Sequence, residues 1–209
     1  MTPPATPVRV LDAPPAPRST ESGVQRVREG LEEAAERLRG LGVAVPPVEG
    51  KLLRPLVAYA LVPPERRGAL DARFWCGALA VQMVHEASLL HDDILDEAGE
   101  RRGEETLVAR AGVGPALVLG DHYLTGAYRA AAETEAPGFL ACFIRAVERT
   151  VAGEIAQERN AGQRLDMGAY LDVVRGKSGE LFGAAACLGG AVIGSDDLVE
   201  RVELGRELG

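Results

Sequence analysis

Aromatic residues make up only 4% of this 209-residue chain. With few rings and with β-branched residues scattered, no convincing period-two alternation appears, which argues against a sandwich or barrel of strands. Cysteine is scarce as well. Cys76, Cys142 and Cys187 are odd in number, far apart along the chain and set in apolar surroundings. They form neither a disulfide framework nor a metal knuckle, and are expected to be buried small hydrophobes. An excess of basic residues is also missing: 23 Lys and Arg face 31 Asp and Glu, for a net charge of −8, which excludes the broad basic face that nucleic acid requires. No segment approaches the apolar length of a membrane span, and the first residues lack the apolar core of a signal peptide. A soluble, cytoplasmic protein is the expectation.

What the chain has is helix-forming sequence. Segments rich in Ala, Leu and Glu alternate with Gly and Pro breaks at Gly40 to Pro47, Pro63-Pro64, Gly99 to Gly103, Gly112 to Pro115, Pro137-Gly138, Gly162 and Gly189 to Ser195. The pattern predicts an all-α bundle with a central cavity between helices. Residues 1 to 20, rich in Pro, Ala and Thr, are expected to be a disordered tail. Residues 21 to 209, without an internal repeat, form one globular domain, since a hydrophobic content of 46% is enough for a sizeable core.

The densest chemistry lies between Leu89 and Gly103, where Asp92, Asp93 and Asp96 are followed at once by Arg101 and Arg102. On a helix running from Phe74 to Asp96, residues four apart share a face, so Asp92 and Asp96 point the same way with Asp93 beside them. Carboxylate oxygens suit Mg²⁺, which commonly bridges one or two carboxylates to substrate phosphates. Leu79, Met83, Ala87, Leu90 and Ile94 form the core stripe of this helix. Val81, His85, Ser88, Asp92 and Asp96 lie opposite, and a helix apolar on both sides is normally buried on both sides. The acidic side is therefore expected to line a cavity, where a carboxylate cluster needs cations beside it. Arg101 and Arg102 meet that need. Upstream, Lys51 and Arg54 are three apart and are expected to project together from the first turn of a helix as an anion clamp.

These residues resemble the trans-type isoprenyl diphosphate synthases. Gly50-Lys51-Leu52-Leu53-Arg54-Pro55 is similar to that family's Gly-Lys-x-x-Arg-Pro, and the run from His85 to Asp93 to its His-x-x-Ser-Leu-x-His-Asp-Asp. Gly120-Asp121, Gly153-Glu154-Ile155-Ala156-Gln157 and Lys177-Ser178 follow at the expected intervals, so the resemblance covers roughly residues 20 to 209. It implies an isoprenoid-synthase helical bundle, Mg²⁺ as cofactor and head-to-tail condensation of an allylic diphosphate with isopentenyl diphosphate. Lys51, Arg54, His85 and Arg102 would hold isopentenyl diphosphate. Asp92, Asp93 and Asp96 would bind the metals that carry the allylic diphosphate, with Arg101 and Lys177 on that second diphosphate. Gln157 resembles the glutamine that reaches metal-bound water or diphosphate, or is a surface amide. Ser178 either binds a phosphate oxygen or caps a helix through Glu180 and Leu181, and the cap is favoured. Asp121 is read as an acid near the start of a helix, placed for the dipole.

The family has a second aspartate-rich motif, preceded by Phe-Gln, about where this sequence reaches Gly209. The resemblance therefore implies that the C-terminal helices are missing, and that the chain alone turns over weakly or not at all. Either the sequence is partial, or it is a short subunit that pairs with a complete synthase. Asp196-Asp197 does not replace that motif and reads as an N-cap with an acidic first turn. No aromatic residue blocks the face running back from Asp92 through Ala87 and Ser88 to Val84 and Val81, so the product is expected to be geranylgeranyl length or longer. Ser88→Phe in a complete enzyme would shorten it. Two other functions fit part of the pattern. One is a class I terpene cyclase, which needs only one diphosphate site. The other is a non-catalytic partner subunit. A homodimer packed through helix faces is implied in either case.

Overall fold

The computed structural model describes residues 23–209, so the tail expected at residues 1 to 20 lies outside the described residues. Among the described residues there are nine α-helices: α1 Gly23–Gly40, α2 Leu53–Ala60, α3 Ala72–Leu95, α4 Leu107–Ala111, α5 Val113–Ala132, α6 Pro137–Arg159, α7 Met167–Val174, α8 Glu180–Val192 and α9 Leu198–Leu208. The all-α expectation holds. It needs one small amendment, a two-residue antiparallel ribbon pairing β1, Glu100–Arg101, with β2, Glu104–Glu105. None of the described helices is long and apolar enough to cross a membrane.

The bundle is built around α3, which packs against α1, α2, α5 and α8. Asp71 starts it, its carboxylate accepting from the Arg73 N–H at 3.0 Å, as N-cap acids do. Every residue from Phe74 to Val84 is buried. A segment apolar all round has no solvent face, and removing such side chains from water contributes about 1.5–3 kcal/mol each. Trp75 stacks on Tyr59, with ring centroids 6.0 Å apart, and meets Phe74 edge-on at 4.8 Å. It also fills the space left by Gly30 of α1, where a Cβ would lie 2.2 Å from the indole.

The second half of α3 leaves this core. Leu79, Met83 and Ala87 of the expected core stripe are buried, whereas Leu90 and Ile94 are only half-buried. Polar chemistry can begin there. Two expected breaks also change character. Gly189 and Gly190 lie inside α8, where they allow Val62 and Leu198 to approach closely. Between α7 and α8, residues Arg175–Gly179 form a π-helical turn that joins the two helices without interruption.

Candidate active site

The end of α3 separates two cavities. The first, of about 250 Å³, is lined mainly by apolar atoms from α3, α5 and α6, including Val84, Ala87, Ser88, Leu124, Val147 and Ile155. Asp92 and Glu154 stand among its lining residues. Ala87 and Ser88 are where the chain-length reading put them, and Val84 joins them. Val81 does not reach the cavity, being packed in the core. The Ser88 hydroxyl donates to the His85 carbonyl at 2.8 Å, so Ser88 presents little polarity to the cavity. Thr150, also in the lining, is buried with its hydroxyl unpartnered.

Lys177 reaches this cavity's acidic edge from the π turn. Its Nζ lies 2.8 Å from Glu154 Oε2 and 3.5 Å from Asp92 Oδ2. Gln157 donates to the other Glu154 oxygen at 3.4 Å. A close backbone approach makes this possible: a Cβ on Gly153 would be 2.6 Å from the Lys177 backbone nitrogen. π turns often mark functional sites, because the extra residue re-aims the side chains around it. Burial, and then the neighbouring Glu154 carboxylate, hold the Asp92 carboxyl above the usual carboxylate range despite Lys177. For Lys177, burial acts to lower the pKa, but its bonds to Glu154 and Asp92 outweigh that and raise it.

The second cavity, of about 510 Å³, lies on the other side, where Arg101, Arg102 and Arg110 stand among the carboxylates of Glu49, Glu86, Asp93, Glu104 and Glu105. Arg102 heads a two-residue turn, Arg102-Gly103, in which both residues have positive φ, 54° and 85°, the conformation that matches the twist of a tight hairpin. Leu52, next to Lys51, is also left-handed, at φ 50°. Strained backbone of this kind persists where the surrounding structure enforces it and often accompanies binding sites. The ribbon and the Lys51 loop come close together, with Arg102 Nη1 4.0 Å from where a Gly50 Cβ would stand.

Arg54 is largely buried, its guanidinium 5.0 Å above the Phe182 ring, with Nε left without a hydrogen-bond partner. Burial lowers its pKa to about 10, partly opposed by Glu86, so it stays cationic at neutral pH. His85 is pushed down to about 4 by burial and by the charges of Arg54, Arg102 and Arg101. Such a concentration of positive charge around a neutral imidazole suits an anionic ligand.

Several expectations change. Lys51 does not project from a helix turn with Arg54: it precedes α2, is exposed, and shows no ion pair among the described residues. Asp93 turns away from Asp92 into a buried ion pair with Arg101, Nε to Oδ1 2.6 Å. Asp96 is the exposed C-cap of α3. Ser178 is not a cap, because the helix runs through it and α8 shows no side-chain cap. Asp121 lies in the middle of α5, not at its start, 3.3 Å from His91 Nε2 but not aligned for a hydrogen bond. Asp197 does occupy the N-cap position of α9, yet its carboxylate bonds Ser195 and Arg201 instead of the helix N–H groups. Glu154 was missed as a site residue. Its one sequence signal was its place in the same run as Gln157.

Among the described residues no three His, Cys, Asp or Glu side chains converge as a ready metal set. Mg²⁺ nevertheless needs only one or two carboxylates when phosphate supplies the rest. Asp92 fits that role, since a cation would relieve its repulsion by Glu154, and Asp96 shares its helix face. Asp93, already neutralised by Arg101, does not fit.

The family model of Polyprenyl synthetase matches residues 38–209. Nonaprenyl diphosphate synthase of Mycobacterium tuberculosis is 36% identical over 157 residues, covering 73% of this chain and 46% of that protein. Geranylgeranyl diphosphate synthase of Saccharolobus solfataricus is 33% identical over 193 residues, covering 86% and 54%. The chain thus spans about half the length of the curated relatives it matches. A crystal structure of polyprenyl synthase from Caulobacter crescentus, complexed with calcium and isoprenyl diphosphate, aligns with a TM-score of 0.71 at 29% identity, covering 91% of this chain and 61% of that one.

Proposed function

This chain belongs to the polyprenyl synthetase family, and from that membership we propose that it takes part in head-to-tail condensation of an allylic diphosphate with isopentenyl diphosphate. The relatives it resembles are named as prenyl diphosphate synthases. The observation that carries the reading is the pair of cavities with different polar equipment on either side of α3. One diphosphate position is enough for a cyclase, whereas elongation needs two. On the second side Arg102 lines the cavity among several carboxylates, and the cluster it forms with Arg54 and Arg101 around neutral His85 suits the isopentenyl diphosphate. The side where Asp92, Glu154 and Lys177 meet an apolar cavity suits the allylic partner, its hydrocarbon tail running past Ser88.

Each group then has a physical task. Lys177, now held by Glu154 and Asp92, would exchange those partners for the leaving diphosphate, aiding ionisation of the allylic carbon–oxygen bond by fixed charge in a dry site. Arg54, with an unused guanidinium nitrogen, would hold the isopentenyl head while its alkene attacks the allylic cation. Asp93, by fixing Arg101, would orient the ribbon that carries Arg102. Magnesium at Asp92 and Asp96 would supply neutralisation of the diphosphate as its negative charge grows. Gln157 would steady Glu154, and Ser178, next to Lys177, would reach a phosphate oxygen. The apolar cavity, free of aromatic residues, supports a product of geranylgeranyl length or longer. Exposed Val113, Leu117 and Val118 on α5 support a homodimer.

Calorimetric titration tests the assignment. Arg54→Ala and Arg102→Ala are expected to weaken isopentenyl diphosphate binding about 10-fold or more, the scale of one lost charged contact, with Lys177→Ala near wild type. An allylic diphosphate with Mg²⁺ should show the reverse. Equal losses for both ligands in all three variants would overturn the two-sided reading.

A further inference from the structure

A third cavity, of about 340 Å³, lies between α6, α8 and α9 and takes no part in the proposed reaction. Its lining includes Cys142 from α6 and Cys187 from α8, both free thiols. Far apart in sequence, they are brought together by the antiparallel packing of α6 and α8, each standing seven residues from the Arg149–Glu180 ion pair that joins the two helices. Cys142 is only half-buried, whereas Cys187 is fully buried behind it. Arg145, Arg149 and Arg206 line the same space. Arg149 and Arg206 pair with the buried carboxylate of Glu180, while Arg145 has no ion pair among the described residues.

This arrangement is asymmetric in the way a reactive pair requires. A thiol becomes nucleophilic as thiolate, which a donated hydrogen bond and nearby cations favour. The neighbouring Cys187 thiol lowers the Cys142 pKa, against burial and helped by Arg206 and Arg145. Cys187 is shifted upward by its Cys142 neighbour and by burial. Cys76 provides an internal contrast, being alone in the main core with its thiol pushed up to about 11 by burial.

We propose that Cys142 and Cys187 are a redox-modification site, at which hydrogen peroxide oxidises Cys142 and Cys187 closes a disulfide between α6 and α8. In the first step the Cys142 thiolate attacks one peroxide oxygen. The O–O bond breaks, the sulfur gains the hydroxyl as a sulfenic acid, and the departing hydroxide takes a proton to become water. In the second step Cys187 sulfur attacks the Cys142 sulfur, the S–O bond breaks, and the Cys187 proton leaves with the hydroxyl as a second water. Two electrons pass from the thiols to the peroxide. A reducing dithiol reverses the change by thiol–disulfide exchange. The crosslink stands 12 residues from Glu154, about 18 Å along α6 at the helical rise, so it is distinct from the diphosphate cavities.

The test uses the folded 209-residue chain, hydrogen peroxide as the oxidant, alkylation of remaining thiols and peptide mass spectrometry. Expected are a linked Cys142–Cys187 peptide pair lighter by two hydrogens, its loss on adding dithiothreitol, and oxidation of Cys142 at least 10-fold faster than that of Cys76. Cys187→Ser should accumulate a sulfenic acid at Cys142 that dimedone captures, and Cys142→Ser should leave Cys187 a thiol that is alkylated once the oxidised chain is denatured. Because the wild-type experiment stands without either variant, a folding defect in one of them does not shield the proposal. Oxidation of Cys142 no faster than that of Cys76, or disulfides formed only between chains or through Cys76, would overturn it.

Discussion

At the scale of single residues, Gly153 and His85 give the sharpest consequences. A methyl group on Gly153 would meet backbone 2.6 Å away in the π turn, and backbone cannot yield as a flexible side chain does. Gly153→Ala is expected to cost about 1–3 kcal/mol of stability and to pull Lys177 from Glu154 and Asp92, visible as a lowered melting temperature together with weaker allylic diphosphate binding. His85, with a folded-state pKa of about 4 against an ordinary value of 6.5, takes up its proton later than the unfolded chain does. Its contribution is therefore complete above pH 6.5 and lost as pH falls toward 4. Melting curves across that range should fall more steeply for wild type than for His85→Gln, and parallel curves would contradict its burial among these arginines. Asp92, Arg54 and Arg102 were legible from residue type and spacing. Glu154 was not, because its value comes from Lys177 arriving across space. Nor was the partition of Asp92 from Asp93, since adjacent residues on a helix differ by 100° in direction and only the ribbon decides which one meets an arginine.

At the scale of elements, α3 was readable because its apolar residues continue round the whole helix and then give way to acids. Its two ends differ, apolar packing at one and charged side chains at the other. The connections were harder. The spacing of Gly189 and Gly190 marks a break in a free helix, yet against α2 and α9 the missing side chains are what permits contact. Similarly, Ser178 has the composition of a cap but sits in a π turn whose extra residue leaves no local signature. Since Ser88 lines the apolar cavity with Ala87 and Val84, Ser88→Phe should fill part of it. Affinity for geranylgeranyl diphosphate is expected to fall severalfold while that for the shorter geranyl diphosphate changes little, as competition binding would report. Equal effects on both would mean that the hydrocarbon chain takes another path.

For the whole molecule, helices from both halves of the chain converge on α3, and no single segment contains the site. Arg54, His85 and Arg102 come from α2, α3 and the ribbon, whereas Asp92, Glu154 and Lys177 come from α3, α6 and the π turn. Fold class and family were legible because the motifs are local; the two-sidedness was not, since it depends on which faces α2 and the π turn reach. An exposed apolar strip on α5, with Val118 66% and Val113 55% exposed, is larger than a polar-faced surface helix presents. Val118→Glu combined with Leu117→Glu should break the proposed homodimer into monomers in sedimentation, and an unchanged mass would remove α5 as the interface.

The central claim is that two diphosphates sit on opposite sides of α3 and do not compete. Titrating the chain to saturation with isopentenyl diphosphate, and then with a non-ionisable allylic diphosphate analogue and Mg²⁺, measures this directly. Independent binding of one molecule of each, with the first ligand retained, is the predicted result. Displacement of the first by the second would show a single shared site and contradict the account.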